Sequence, residues 1–430
     1  MTSDAPGAAG LGKLRQISTT DRRILLVSAG TVASRVLIKL AQLGFLVVAA
    51  RLLTVEEFAG YSYLLVLAIT FSMLADTGVA LAASREISAG RRSAADAFWS
   101  GAPVIGIAAA AAGFIVLGFG LLDSAPGSAG TALVLTCGFV VVNTLFNFAS
   151  TTLRGVGKSV YEAALQGAGA VLFVAAAATA LAVGAGLVPV LAILLGKEAL
   201  SLLAALAGLR ADVGRPRRLP SDLWRRLLRI GIQLGLASTA LALVTRIPTF
   251  VLANSGTAED LAWFSAAQRL ADAVLVLATT AGFALLPSLT LLFETEPARA
   301  WSFLGRTLGA AVGLGAVAGL VTVLFAPEIV TAAFGSDFDA AAQPTRVLMA
   351  AAPAYAAIGI GWYALVALGR ERSLVLLAAA SALLALALSL VLVPGGDDAE
   401  AAVAYVAALG AMAAAILAVL IDARRRVVAP

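Results

Sequence analysis

The 430-residue sequence predicts an all-α polytopic membrane protein: 12 transmembrane helices in two six-helix lobes, with the N and C termini cytoplasmic. Three observations carry that reading. Twelve apolar stretches lie at roughly 24–50, 61–83, 98–122, 131–153, 160–183, 187–209, 230–253, 261–293, 303–326, 345–368, 373–394 and 401–421. Each is long enough to cross a hydrocarbon core of ~30 Å at ~1.5 Å per residue. The loops between them alternate between arginine-rich and acidic, and a pattern in the first half returns in the second. Composition agrees, since 61% hydrophobic residues, 13% charged and a mean hydropathy of +0.97 lie far from a soluble domain.

Residues 1–22 are rich in Gly, Ala and Ser and read as a disordered cytoplasmic tail with Lys13, Arg15 and Arg22. The first apolar stretch is too long for a signal-peptide core and lacks the small-residue cleavage site, so it is expected to persist as a span. Basic residues resist translocation and stay with cytoplasmic loops. Arg85, Arg91 and Arg92 follow span 2, and Arg154 and Lys158 follow span 4. The cluster from Arg210 to Arg229 follows span 6, and Arg299 and Arg306 follow span 8. Arg370 and Arg372 come after span 10, and Arg424, Arg425 and Arg426 after span 12. The intervening loops hold only Arg51, against acids such as Glu56, Glu57, Glu259, Asp260, Asp337 and Asp397. The expected organisation is therefore an N-terminal lobe over 23–210, a basic cytoplasmic linker over 211–229 with Pro216 and Pro220, a C-terminal lobe over 230–422 and a basic tail over 423–430. The eighth stretch is overlong and is expected to tilt or project from the bilayer, with Pro287 near its inner end. The net charge of +5 follows from this topology and needs no nucleic-acid partner.

The repeat is visible in the letters. Thr54-Val55-Glu56-Glu57-Phe58-Ala59-Gly60-Tyr61-Ser62 follows span 1, and Thr257-Ala258-Glu259-Asp260-Leu261-Ala262-Trp263-Phe264-Ser265 follows span 7. A weaker echo pairs Gly157-Lys158 after span 4 with Gly369-Arg370 after span 10. Six spans followed by six in the same orientation imply two bundles related by an axis along the membrane normal, an arrangement in which transporters bind substrate between the halves. Chance similarity in Ala/Leu-rich sequence is the bland alternative.

Absences narrow the chemistry. The sequence has no His and a single Cys, Cys137, inside span 4, which excludes His-ligated metals, His general bases and a disulfide framework. No metal and no cofactor is expected. Gly157-Lys158-Ser159 ends a stretch that resembles a phosphate-binding loop, but the motif's first glycine is Thr152 here and no strand precedes it. Lys158 reads as a positive-inside anchor. Glu56-Glu57 reads as the start of span 2 with Thr54 as its N-cap. A membrane glycosyltransferase or polymerase usually carries a long outer loop or an extracytoplasmic domain; this chain has neither, so it is not expected to be an enzyme.

Charges within the spans point to mechanism, because burying one in lipid costs several kcal/mol unless it faces a polar cavity or a partner. Thr31, Arg35, Lys39 and Gln42 share one face of span 1, with Arg35 near the midplane. Two cations on one face with no acid among them imply an anionic ligand, or an acid from another helix. Arg246 lies in span 7 just before Pro248, and span 8 supplies Gln268, Arg269 and Asp272, the last two spaced for a same-helix pair. The cavity candidates are thus Arg35, Lys39, Gln42, Arg246, Gln268 and Arg269. Asp76 after the apolar run of span 2, Glu162 near the start of span 5 and Asp272 are candidates for ion coupling; Asp76 could equally cap the inner end of the helix, and Glu162 has the same ambiguity. Lys197 and Glu198 in span 6 are adjacent and read as pointing to different sides, with Glu198 able to bridge to another helix or both able to snorkel.

At this point a resemblance appears. Ala50-Arg51-Leu52-Leu53-Thr54-Val55-Glu56-Glu57-Phe58-Ala59-Gly60-Tyr61-Ser62, then Asp76-Thr77-Gly78 and Arg85-Glu86, resembles the N-terminal signature of bacterial polysaccharide flippases. These are the O-antigen and exopolysaccharide exporters of the multidrug/oligosaccharidyl-lipid/polysaccharide (MOP) exporter superfamily. Trp263-Phe264-Ser265-Ala266-Ala267-Gln268-Arg269-Leu270, Phe334-Gly335-Ser336-Asp337-Phe338 and Ala367-Leu368-Gly369-Arg370 resemble later marks of the same family. Thr54-Val55 stand where Gly-Pro is usual, Thr77 where Leu is usual and Ala59 where Gly is usual. The resemblance implies a MOP/MATE-like pair of lobes in the bacterial cytoplasmic membrane, moving an undecaprenyl-diphosphate-linked oligosaccharide for cell-surface polysaccharide such as lipopolysaccharide O-antigen. Its implied partners are that lipid-linked substrate, membrane lipids and the glycosyltransferases and polymerase of the pathway. A drug or metabolite antiporter of the same superfamily is the alternative, in which acids rather than arginines would dominate the cavity.

Overall fold

In the computed structural model, residues 41–42, 44–76, 78–88, 90–122, 130–215, 223–394 and 397–428 are described, and among them the chain is helical with no strand. The elements are α1 (44–52), α2 (Val55–Asp76), α3 (Val79–Ser88), α4 (Ala94–Leu122), α5 (Thr131–Gly155), α6 (Ser159–Ala182), α7 (Leu187–Val213), α8 (Leu223–Ser255), α9 (Ala258–Thr295), α10 (Pro297–Leu324), α11 (Ala326–Phe334), a 3-10 turn (Ser336–Ala341), α12 (Ala342–Ala350), α13 (Ala352–Ala367), α14 (Glu371–Leu392) and α15 (Asp398–Val428). Among the described residues, 9 helices are long and apolar enough to cross a membrane, or up to 10 if the bent pair Ser336–Ala350 and Ala352–Ala367 is one span.

Two expected spans are broken, each for a local reason. The second was expected over 61–83. Thr54 starts its helix earlier: Glu57 N–H donates to Thr54 Oγ1 at 3.2 Å and Thr54 N–H to Glu57 Oε2 at 3.2 Å, a reciprocal cap that begins α2 at Val55. The helix then ends at Asp76, and Gly78 at φ +70 turns the chain into α3. The tenth was expected as one helix over 345–368. Pro353 near the start of α13 has no N–H to give the preceding turn, and the helical stretch Ser336–Ala350 meets α13 at 45°. The overlong eighth stretch is one helix, α9, of 38 residues. Most of the first stretch, 24–50, lies outside the described residues.

Both echoes in the sequence adopt matching local structure. Thr257 and Asp260 form the same capping box at the start of α9 that Thr54 and Glu57 form at α2. Gly157 (φ +82) and Gly369 (φ +67) both end a helix with paired backbone bonds: Gly157 N–H to Arg154 O and Lys158 N–H to Leu153 O, Gly369 N–H to Val366 O and Arg370 N–H to Leu365 O. This is the left-handed helix stop that only glycine enters without strain. The packing pairs recur as well. α4 packs on α5 as α10 packs on α13, and α6 on α7 as α14 on α15. Phe45 of α1 meets Phe173 of α6 edge-on at 4.7 Å, the counterpart of the α8–α14 contact.

The two halves touch at both ends. At the acidic-loop end, Phe58 of α2 packs edge-on against Phe338 at 5.1 Å, and Phe58 is fully buried. Beside it Arg51 donates through Nε to Ala333 O at 3.2 Å and through Nη2 to Ala332 O, so its guanidinium serves the unpaired carbonyls that end α11. At the basic-loop end α3 packs against α8, and Leu227 is buried in one cluster with Val79, Ala83 and Leu209. Between the ends, Tyr63 of α2 stands edge-on to Phe250 of α8 at 6.4 Å.

Candidate functional site

Midway along the contact between the halves lie two arginines and one acid. Arg269 falls eleven residues after Ala258, roughly 16 Å along α9 at ~1.5 Å per residue. Its electrostatic neighbours are Arg246 on α8, Asp272 one turn on and Tyr61 of α2 across the interface. Arg246 Nη1 lies 3.2 Å from Asp272 Oδ2, and the two side chains are only 15% and 18% exposed. Tyr405 of α15 donates its hydroxyl to Asp272 Oδ1 at 3.3 Å. The expected same-helix pair of Arg269 and Asp272 is therefore replaced by a cross-helix one, because Asp272 projects towards α8 and α15. Arg269 is left with buried Nε and Nη2 that have no hydrogen-bond partner among the described residues.

Two guanidinium groups thus lie near one carboxylate, which pairs with Arg246, in a region walled by apolar helices. Guanidinium cannot discharge by losing its proton, so the surplus charge and the idle donors are suited to an anion. Planar N–H forks pair best with the oxygens of phosphate or carboxylate.

The other predicted residues fall in different places. Gln268 is buried at 1% exposure; its Nε2 donates to Thr245 O at 2.6 Å and its Oε1 accepts from Thr249 Oγ1 at 3.2 Å. Both ends of that amide hold α9 to α8. Gln42 is exposed on its helix, and Arg35 and Lys39 lie outside the described residues. Asp76 Oδ1 accepts from Ala80 N–H at 3.4 Å, capping the first turn of α3. Glu162 is buried and accepts from Ser150 Oγ at 2.7 Å and Gln166 Nε2 at 2.5 Å, with Arg154 Nε 3.9 Å away. Lys158 Nζ reaches Gly208 O at 2.9 Å and Asp212 Oδ2 at 2.6 Å, which ties it to α7.

Lys197 and Glu198, expected to diverge, bind each other at 2.6 Å; a long flexible ammonium stem bends back more cheaply than it stays unpaired in apolar surroundings. Sequence reading missed Tyr405 and Tyr61 beside the arginines and Asn143 beside Glu198, since a tyrosine or asparagine in an apolar span carries no charge signal.

Residues 28–293 match the family described as polysaccharide biosynthesis protein. Among solved structures, the chain is similar to the lipid II flippase MurJ in an inward closed conformation, with a TM-score of 0.74 and 12% identity over 92% of this chain and 87% of that one. A multidrug resistance MATE family transporter of the MOP superfamily, inward-facing, gives a TM-score of 0.67 and 16% identity over 91% and 96%. A MOP superfamily transporter from Pyrococcus furiosus gives 0.64 and 15% over 94% and 96%. At these identities the likeness is one of fold. No curated protein matches the sequence.

Proposed function

Because this chain belongs to the polysaccharide biosynthesis protein family of membrane transporters and flippases in the MOP superfamily, we propose that it translocates a lipid-linked oligosaccharide, carried on undecaprenyl diphosphate, across the bacterial cytoplasmic membrane. The observation that carries the reading is Arg269, half-buried at the meeting of α2 and α9, whose Nε and Nη2 are buried and idle while the nearby Asp272 pairs with Arg246. A diphosphate is the strongly anionic part of such a cargo, and paired guanidinium groups replace its lost hydration. The lipid tail stays in the bilayer while the headgroup passes between the halves. A solved relative named as a lipid II flippase shares the fold, which supports a lipid-linked cargo.

Two six-helix lobes, 23–210 and 230–422, joined by the basic linker 211–229, would rock about this site. The matched caps, glycine stops and packing pairs support the division. With the arginine-rich loops cytoplasmic, 12 spans put both termini, the 1–22 tail and the 423–430 tail inside. The contacts at both ends then make this a closed stage of the cycle. Arg35 and Lys39 join Arg246 and Arg269 at the diphosphate in this reading, with Gln42 facing the sugar. Gln268 positions α8 against α9. Asp76, Glu162 and Asp272 are acids through which an ion gradient would act. The protein works as a transporter rather than an enzyme, in sequence with glycosyltransferases and a polymerase.

The drug or metabolite antiporter is the second reading, favoured by the MATE structures that share the fold. Depleting the protein from cells separates the two. Undecaprenyl-diphosphate-linked oligosaccharide accumulating on the cytoplasmic leaflet, with surface polymer lost, establishes the flippase and identifies the cargo by mass. An unchanged lipid-linked pool with altered sensitivity to cationic toxins establishes the antiporter.

A further inference from the structure

The two arginines between the halves are not equivalent, and Asp272 makes the difference. Arg269 keeps Nε and Nη2 buried without a hydrogen-bond partner among the described residues, whereas Arg246 is covered by the carboxylate 3.2 Å away. That cover is a charge contact and not an aligned fork, since Arg246 Nη1 also lacks a hydrogen-bond partner among the described residues. Asp272 is oriented through its other oxygen. Tyr405 donates its hydroxyl to Asp272 Oδ1 at 3.3 Å, and Tyr405 is fully buried, edge-on to the equally buried Tyr355 at 6.3 Å. Tyr355 is fixed in turn by donating its hydroxyl to Leu348 O at 2.7 Å. The carboxylate is therefore anchored to packed aromatic side chains, while each guanidinium sits on a long flexible stem.

The first half packs without this arrangement. The register that sets Thr54 on Thr257 sets Val66 on Arg269 and Ile69 on Asp272, and the register that sets Asp212 on Asp422 sets Leu195 on Tyr405. All three counterparts are apolar, and Val66 is buried. An ion pair held in apolar surroundings seldom stabilises a fold more than apolar residues of similar volume do. Its presence at one of two matching places points to the handling of cargo.

We propose that Asp272 sets specificity at this site: held by Tyr405, it covers Arg246 so that a lipid monophosphate meets Arg269 alone, and only a lipid diphosphate, gripped first at Arg269, displaces it and reaches both guanidinium groups. The inference deepens the reading above and rests on its diphosphate cargo. One phosphoryl group can take the idle fork of Arg269 through two parallel bonds. To gain Arg246 as well, it would have to divide its oxygens between two forks and push aside an anchored carboxylate of like charge. A diphosphate held at Arg269 presents its second phosphoryl group to Arg246 intramolecularly, at a high effective concentration, and the poorly aligned contact with Asp272 gives way. Release runs in reverse, with Asp272, still fixed by Tyr405, taking Arg246 back. Asp272 is thus a positioning residue that acts through Arg246.

The test measures binding of farnesyl diphosphate and farnesyl monophosphate to the detergent-solubilised full-length protein by native mass spectrometry. The wild type should bind the diphosphate several-fold more tightly. Asp272→Asn, whose amide oxygen still accepts from Tyr405, should tighten monophosphate binding several-fold and narrow the ratio. Arg246→Gln/Asp272→Asn should reverse that gain, because the monophosphate then has one arginine again. A ratio unchanged in Asp272→Asn, or a monophosphate gain that persists in the double variant, overturns the proposal. Should Asp272→Asn fail to fold, Tyr405→Phe decides: the freed carboxylate squares up on Arg246, so diphosphate binding weakens several-fold while monophosphate binding holds. Unchanged binding of both lipids in Tyr405→Phe overturns the assignment. A wild type that binds both lipids equally removes Asp272 from specificity and leaves the cargo reading standing; one that binds neither removes the diphosphate cargo and this inference together.

Discussion

Lys158 Nζ lies 2.6 Å from Asp212 Oδ2, fastening the start of α6 to the end of α7 at the basic-loop face. Arg370 Nη1 and Asp422 Oδ2, 3.6 Å apart, fasten the start of α14 to the end of α15 at the matching point of the second bundle. Each base follows a left-handed glycine, Gly157 or Gly369, that ends the preceding helix. The side chains of the first pair are 38% and 27% exposed, so solvent screens the interaction and its contribution is at most ~1 kcal/mol. Lys158→Ala should therefore lower the melting temperature of the detergent-solubilised protein slightly, and Arg370→Ala less, given its longer contact to a more exposed acid. A larger drop for Arg370→Ala would contradict this ranking.

Arg269→Ala should reduce polymer export more than tenfold at unchanged membrane abundance. A charge-assisted hydrogen bond contributes about 1.5–3 kcal/mol, and ~1.4 kcal/mol is a factor of ten. Arg269→Lys should restore only part of the rate, because an ammonium cannot present two parallel N–H groups. Export at the wild-type rate in Arg269→Ala would remove this residue from the cargo site.

Arg51 and Phe58 hold the acidic-loop end shut against α11 and Phe338. In a Cys137→Ser background, Phe58→Cys should react slowly with a membrane-impermeant thiol reagent added outside the cell. Adding Arg51→Ala should raise the labelling rate several-fold, since α11 loses the cation at its carbonyl end. Equal rates with and without Arg51 would show that this guanidinium does not hold the end closed.

Gly282 of α9 and Gly359 of α13 sit where the two helix backbones meet: a Cβ on Gly282 would overlap Gly359 O, and one on Gly359 would overlap the Ala278 backbone. Small residues permit such close approach in membranes. Gly359→Ala should cost about 1–3 kcal/mol by overpacking. Gly410→Ala on α15, with nothing within 4 Å of the new methyl, should be neutral or stabilising by helix propensity, up to ~1 kcal/mol. Thermal unfolding of the two variants side by side checks the contrast; matching melting curves would refute it.

The sequence by itself determined the membrane class, the helical content, the alternation of loops and the repeat, because these follow from properties summed along the chain: hydropathy over a bilayer's thickness and charge that resists translocation. Local stops were legible too, in the Thr54-to-Glu57 and Thr257-to-Asp260 caps and in Gly157 and Gly369, since a cap or a positive φ is fixed within a few residues. Partnership was not. Only the tertiary structure gave Asp272 to Arg246 instead of Arg269, placed Gln268 between two helices and folded Lys197 back onto Glu198. Which charge a buried group meets depends on helices remote in the chain, and in apolar surroundings each polar group takes whichever partner packing brings within about 3 Å.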